Sequence, residues 1–210
     1  MSNEVMTKEK VHMDPKYIIE LTLKLFITCV VVAGLLGLVN SVTEGPIAAI
    51  NKAKTEDAMK AVVADPDNST FSDPLTLSAE MTEAALAGGG TLTEAYEVQV
   101  GGAPAGYALK IVASGSQGNI EMMVGLDAAG AVSGVSIVSH KETAGIGSKV
   151  MENEPLASGT PVLEQFVGKS AADGALSVGK NVDAISGATV SSRGVTSGVN
   201  AALAVAGVLG

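Results

Sequence analysis

From Leu25 to Thr43 the chain carries no charged side chain, and Leu25–Val39 (LFITCVVVAGLLGLV) is almost wholly apolar. Such a run must be sheltered from water, and as a helix extended back to Tyr17 it reaches about 36 Å, more than the roughly 30 Å of a bilayer's hydrocarbon core. Glu20 and Lys24 lie one turn apart near its start, where they can pair or snorkel towards headgroups, and Tyr17 suits the interface. A cleaved secretory signal is the competing reading. The leader is long for one, and no A-x-A-like site follows, so a retained single-pass anchor is expected over residues 17–40. Cys29 lies in the middle of the run, which does not suit a lipoprotein signal, and reads as an ordinary small membrane residue. Lys8, Lys10, Lys16 and Lys24 precede the apolar core, and the next basic residue is Lys52. The positive-inside rule therefore predicts a cytoplasmic tail at residues 1–16 and an extracytoplasmic remainder of a cell-membrane (inner-membrane) protein.

Charge sharpens the division. The formal net charge is −9, and all of it falls beyond residue 40, because the acidic and basic residues before that point balance. An acidic domain excludes nucleic acid as a partner, since that needs a basic face. One cysteine and two histidines, His12 and His140, far apart in the chain, cannot build a disulfide framework, a zinc site or an iron–sulfur cluster, and no metal site is expected. Any redox chemistry then needs an organic cofactor or a partner. With no tryptophan and 3% aromatic residues, a planar cofactor would be cradled by backbone and aliphatic groups.

Gly45-Pro46 is expected to end the span and open a second helical stretch, where Ile47, Ile50, Ala53, Ala58, Ala61 and Val62 recur at helical spacing. Residues 66–90 show little periodicity and end in three glycines, so residues 41–94 read as a helical stalk followed by an irregular connection. The texture then changes. Ala95–Val100, Gly106–Ala113, Ile120–Leu126 and Ala131–Val138 read as strands, with Asp127–Gly130 as a hairpin turn. A short helix fits Val162–Val167 and a long one Val190–Leu209. The expectation for residues 95–210 is an α+β domain with a mainly antiparallel sheet and flanking helices.

One segment carries chemistry, Val182–Val195 (VDAISGATVSSRGV). Ser186-Gly187-Ala188-Thr189 is a small-residue loop running into a helix. Glycine lets backbone approach a ligand closely, and the free N–H groups of a helix start favour an anion. Thr189, Ser191 and Ser192 place hydroxyls beside that positive end. Taken alone, a Ser or Thr that merely caps the last helix explains the same residues, and the Walker spacing with its lysine is missing.

The residues Asp183-Ala184-Ile185-Ser186-Gly187-Ala188-Thr189 resemble the D-x-x-[ST]-G-A-[TS] signature of the FMN-binding domain family. That domain occurs in the G subunit of the Rnf electron-transport complex and the C subunit of the sodium-translocating NADH:quinone reductase. A second segment, Ser139–Gly147 (SHKETAGIG), resembles the H-x-E-T-P-G-L-G stretch of the Rnf G subunit, with Ala144 for proline and Ile146 for leucine. Residues 115–119 (GSQGN) replace a more usual tyrosine-containing glycine turn. The likeness covers the anchor and residues from about 95 to 205, and the short chain favours the Rnf protein.

The resemblance implies FMN esterified through its phosphate to Thr189 by a separate magnesium-dependent flavin transferase that uses FAD. Asp183, Ser186, Gly187 and Ala188 form the element that transferase recognises. It further implies that Glu142, Thr143, Gly145 and Gly147 meet the flavin, with His140 either near it or simply an exposed loop histidine. The implied partners are the lipid bilayer and the other membrane and peripheral subunits of a complex joining ferredoxin and NAD to sodium or proton transport. Other readings stay open at this point: the quinone-reductase member of the same family, an anchored binding domain without flavin, or a hydrolase using Ser186 or Thr189 as nucleophile. The last lacks a G-x-S-x-G elbow.

Overall fold

The computed structural model describes residues 15–209. Most of the tail expected at residues 1–16, with Lys8, Lys10 and His12, lies outside the described residues. The chain divides into two compact units, residues 1–51 and 52–210. The described part of the first, residues 15–51, belongs to one apolar helix, α1 (Pro15–Ala61), which is long and apolar enough to cross a membrane. The threonine hydroxyls of residues 15–51 are satisfied within the helix. Thr22, Thr28 and Thr43 donate their hydroxyls to the carbonyls of Ile18, Lys24 and Val39 at 2.8, 2.9 and 2.9 Å, and Lys24 meets Glu20 at 2.6 Å. Such back-bonding removes the cost of an unpaired hydroxyl in lipid.

The expected break at Gly45-Pro46 is corrected here, because the helix runs through Pro46 to Ala61. A proline inside a helix forfeits one backbone bond and crowds the preceding turn, at about 3 kcal/mol. The Ala- and Lys-rich stretch that follows favours helix and carries it onward.

The second unit is built on a five-stranded antiparallel meander in the order β1 to β5. The strands are β1 (Ser69–Phe71), β2 (Gly90–Val100), β3 (Ala103–Ser114), β4 (Asn119–Asp127) and β5 (Val132–Ser139). α2 (Ala79–Gly88) precedes β2, and one helical turn, α3 (Ser148–Met151), follows β5. Two 3-10 turns, Glu164–Phe166 and Ala171–Asp173, lead to α4 (Thr189–Leu209). The expected hairpin turn joins β4 to β5: Asp127 Oδ1 accepts from Ala129 N and Ala131 N, both at 2.9 Å.

Both sheet faces are covered. On one, Leu109, Ile111, Ile120, Met122 and Val124 pack with Met81 and Ala85 of α2 and with Val195, Val199 and Leu203 of α4. On the other, Tyr96, Val98, Ala108 and Met123 meet Ala58, Met59 and Val62. Burial on two sides explains why Ile120–Leu126 reads as an apolar run rather than an alternation. α4 lies close to the sheet because a Cβ at Gly194 would come 2.5 Å from the Ser114 carbonyl oxygen. Val195 and Val199 are fully buried, each worth roughly 1.5–3 kcal/mol, so α4 and its amino end are firmly seated.

Candidate functional site: the loop before the last helix

Two segments converge on the amino end of α4. The first is Val182–Ala188. Ala188 N donates to Ile185 O at 2.9 Å across a turn whose third residue, Gly187, has φ +82°. That φ suits glycine, and it turns the chain so that Thr189 becomes the first residue of the helix. Ser186 and Gly187 are exposed, Thr189 is half-buried, and Ala188 is tucked inside. The Thr189 hydroxyl enters no hydrogen bond among the described residues, and neither do the N–H groups of Thr189, Val190 and Ser191. A helix start with free donors and an uncommitted hydroxyl suits a phosphate in charge and in hydrogen-bonding sense.

The loop is also held from the side. Gln165 accepts from Asp183 N through Oε1 at 2.7 Å and donates through Nε2 to Asp183 O at 3.1 Å and Val162 O at 2.8 Å. The Asp183 side chain is left exposed. Sequence reasoning missed Gln165, because nothing local to it signals a contact with a residue 18 positions away.

The second segment is the loop of residues 140–147. Glu142 is buried, with 8% of its surface exposed, and its carboxylate points inward. Oε1 accepts from Ser116 N at 2.7 Å and Gln117 N at 3.2 Å, and Oε2 accepts from Ser191 Oγ at 2.5 Å. One carboxylate thus ties together the β3–β4 turn, its own loop and the first turn of α4. Glycines make room for it, since a Cβ at Gly115 or Gly147 would collide with its oxygens. Burial pushes its pKa up, but the Ser191 hydroxyl, the Gln117 and Ser116 N–H groups and nearby His140 outweigh this and hold it below the ordinary carboxylate value. The carboxylate is therefore charged at neutral pH.

The side chains named from sequence divide accordingly. Asp183, Ser186, Gly187, Thr143 and Gly145 are exposed and Thr189 half-exposed, while Glu142, Ser191, Ser192, Ala188 and Gly147 are buried. Ser192 gives its hydroxyl to Ala188 O at 3.1 Å. Half-buried His140 accepts from Glu142 N through Nδ1 at 3.2 Å, so its ring is engaged in its own loop. Two apolar side chains beside these contacts, Ile146 and Val190, are each 52% exposed. They are the chain neighbours of Gly147 and Ser191, where a Cβ on the glycine would lie 2.7 Å from Ser191 Oγ, and they offer exposed aliphatic surface.

Fold and site together define a domain of the FMN-binding class: the sequence profile of the FMN-binding domain matches residues 115–204, spanning both segments. The chain is similar along almost its whole length to the G subunit of the Na(+)-translocating ferredoxin:NAD(+) oxidoreductase complex of Acetobacterium woodii, with 34% identity covering 95% of this chain and 96% of that one. It is 30% identical to the G subunit of the proton-translocating ferredoxin:NAD(+) oxidoreductase complex of Clostridium ljungdahlii, covering 94% and 95%. With the G subunit of the ion-translocating oxidoreductase complex of Methanosarcina acetivorans it shares 28% identity over 90% and 95%. The chain belongs to the family of G subunits of Rnf-type ion-translocating oxidoreductase complexes.

Proposed function

We propose that this chain is the electron-carrying component of a membrane complex that couples electron transfer between ferredoxin and NAD to sodium or proton translocation. In this reading it carries electrons on FMN esterified to Thr189. The relatives' names and the FMN-binding domain support the coarser part of this reading. The observation that carries the finer part is Thr189 itself, an uncommitted hydroxyl at the first position of a firmly seated helix, behind the Ser186-Gly187-Ala188 turn.

A flavin, when bound, supplies transfer of electrons singly or in pairs, which suits a relay between one-electron carriers. The chain's residues do the rest. Thr189 Oγ would hold the FMN moiety as a phosphoester, supplied from FAD by a separate magnesium-dependent flavin transferase with AMP as the leaving group and the hydroxyl proton released. The N–H groups at the start of α4 would hold the phosphate oxygens, where the helix dipole favours the added charge. Ile146 and Val190 offer aliphatic contact to a ring, in keeping with a chain that has no tryptophan. Glu142 and Gln165 act behind the surface, fixing the helix start and the loop.

α1 anchors the protein, with the amino terminus cytoplasmic and the flavin domain outside. There a covalent bond prevents loss of the cofactor. The coupling ion is assigned to partner subunits, since relatives named for sodium and for protons align with this chain over nearly its whole length.

Thr189→Ala and Thr189→Ser test the reading. After co-expression with the transferase and denaturation, wild type should keep flavin fluorescence in a gel, the alanine variant none, and the serine variant some. Flavin persisting in denatured Thr189→Ala protein would contradict the attachment.

A further inference from the structure

Of the chain's thirteen basic residues, twelve are lysines, and the single arginine is Arg193. It lies on α4 four residues after Thr189. Residues at that spacing share a helix face, with Cβ atoms about 5–6 Å apart. Helical side chains also lean towards the amino end, so an arginine here projects over the turn that contains Thr189.

The position has no internal explanation. Arg193 is exposed and makes no ion pair or side-chain hydrogen bond among the described residues. The helix dipole gives a cation no stabilisation near the amino end. Ser191, two residues before Arg193, is bonded to the buried carboxylate of Glu142, whose neighbour in the chain, Lys141, is exposed. A phosphodiester on Thr189 would add another anion.

We propose that Arg193 is the cation of this site, its guanidinium closing over the phosphodiester at Thr189 and neutralising it. The proposal rests on the reading that Thr189 carries the flavin. Arginine suits the role better than lysine, because its planar fork can give two parallel N–H bonds to two phosphate oxygens and is always charged. Arg193 positions the group and touches only its phosphate end.

A lone arginine makes the test unusually direct. The full chain, labelled with [15N]arginine and held in detergent micelles, gives one Nε–H resonance in NMR. It is recorded before and after loading by the transferase with FAD, with peptide mass mapping of the same sample. The expected result is a downfield shift on loading and exchange with water slowed roughly tenfold. Thr189→Ala protein taken through the same treatment should keep the unloaded signal. In loaded Arg193→Ala protein the phosphodiester 31P resonance should move away from its wild-type position, with Arg193→Lys in between. Flavin mapped to Thr189 with an unmoved Nε–H signal and an unmoved 31P resonance overturns the role of Arg193 alone. Flavin mapped to another residue overturns the Thr189 reading and this proposal with it.

Discussion

The two segments that meet at the start of α4 both resemble family motifs in sequence, the first at every defined position and the second with Ala144 and Ile146 as departures, yet they face opposite ways. In Asp183–Thr189 the polar side chains are at or near the surface, and the Thr189 hydroxyl has no partner among the described residues. In Glu142–Gly147 the one charged side chain is buried and its carboxylate accepts from three donors in two other segments. The first segment is arranged to meet a ligand and the second to hold the first in place. A recurring motif thus reports on the integrity of a site as readily as on its chemistry, and burial separates the two.

Mutations that act on one segment and spare the other sharpen this contrast. The largest effect is expected from Glu142→Ala, which strands the Ser116 and Gln117 N–H groups and the Ser191 hydroxyl. At roughly 1–3 kcal/mol for each buried unsatisfied group, partly relieved by water, a loss of about 3 kcal/mol is expected in urea unfolding. Next comes Gly147→Ala, whose methyl would collide with Glu142 Oε2 and lie 2.7 Å from Ser191 Oγ, with an expected loss of about 2 kcal/mol. If either proves neutral, the clip is not holding the helix start. Gly187→Ala forces a residue with φ +82° out of comfort and should cost about 1 kcal/mol. That is less than Gly147→Ala, but it should slow flavin loading more. Ser186→Ala, at an exposed position, should alter unfolding by less than about 0.5 kcal/mol.

Acid gives a further check. Because Glu142 is held below its ordinary value of 4.5, the unfolded chain takes up its proton first as pH falls. The stabilisation is full above roughly pH 5 and is lost as pH drops through the folded-state value. Half-buried Glu94 is also held below its ordinary value, burial raising it while hydrogen bonds from Tyr96 and Lys110 and the Lys110 charge lower it by more, so its contribution has the same sign. The difference between wild type and Glu142→Gln isolates the clip. That difference should shrink below about pH 4, and a difference constant with pH would mean that the carboxylate's charge is not what matters.

The sheet was legible because its strands are short apolar runs between glycine-bearing turns, and α4 because Val195, Val199, Ala202, Leu203 and Ala206 mark one face. α2 was not legible. Its buried face is only Met81 and Ala85, too small a signal beside three glycines that read as a loop. Those glycines in fact include the left-handed cap, Gly89, which donates to Ala85 O and Leu86 O. β1 is three residues long and held mainly by its ladder to β2, so nothing local marks it. At the site, the loop and helix start followed from sequence, while the inward turn of Glu142 depends on Ser116 and Gln117, residues 26 and 25 positions away. Contacts of that range are fixed by packing and not by local pattern.

The central claim is that Thr189 bears the flavin, and it is most directly tested by the mass of the full chain co-expressed with a flavin transferase, followed by peptide mapping under denaturing conditions. The account predicts a gain of one FMN moiety, confined to the peptide that contains Thr189. An unmodified Thr189 peptide, from a sample in which the transferase has loaded a control substrate, would contradict it.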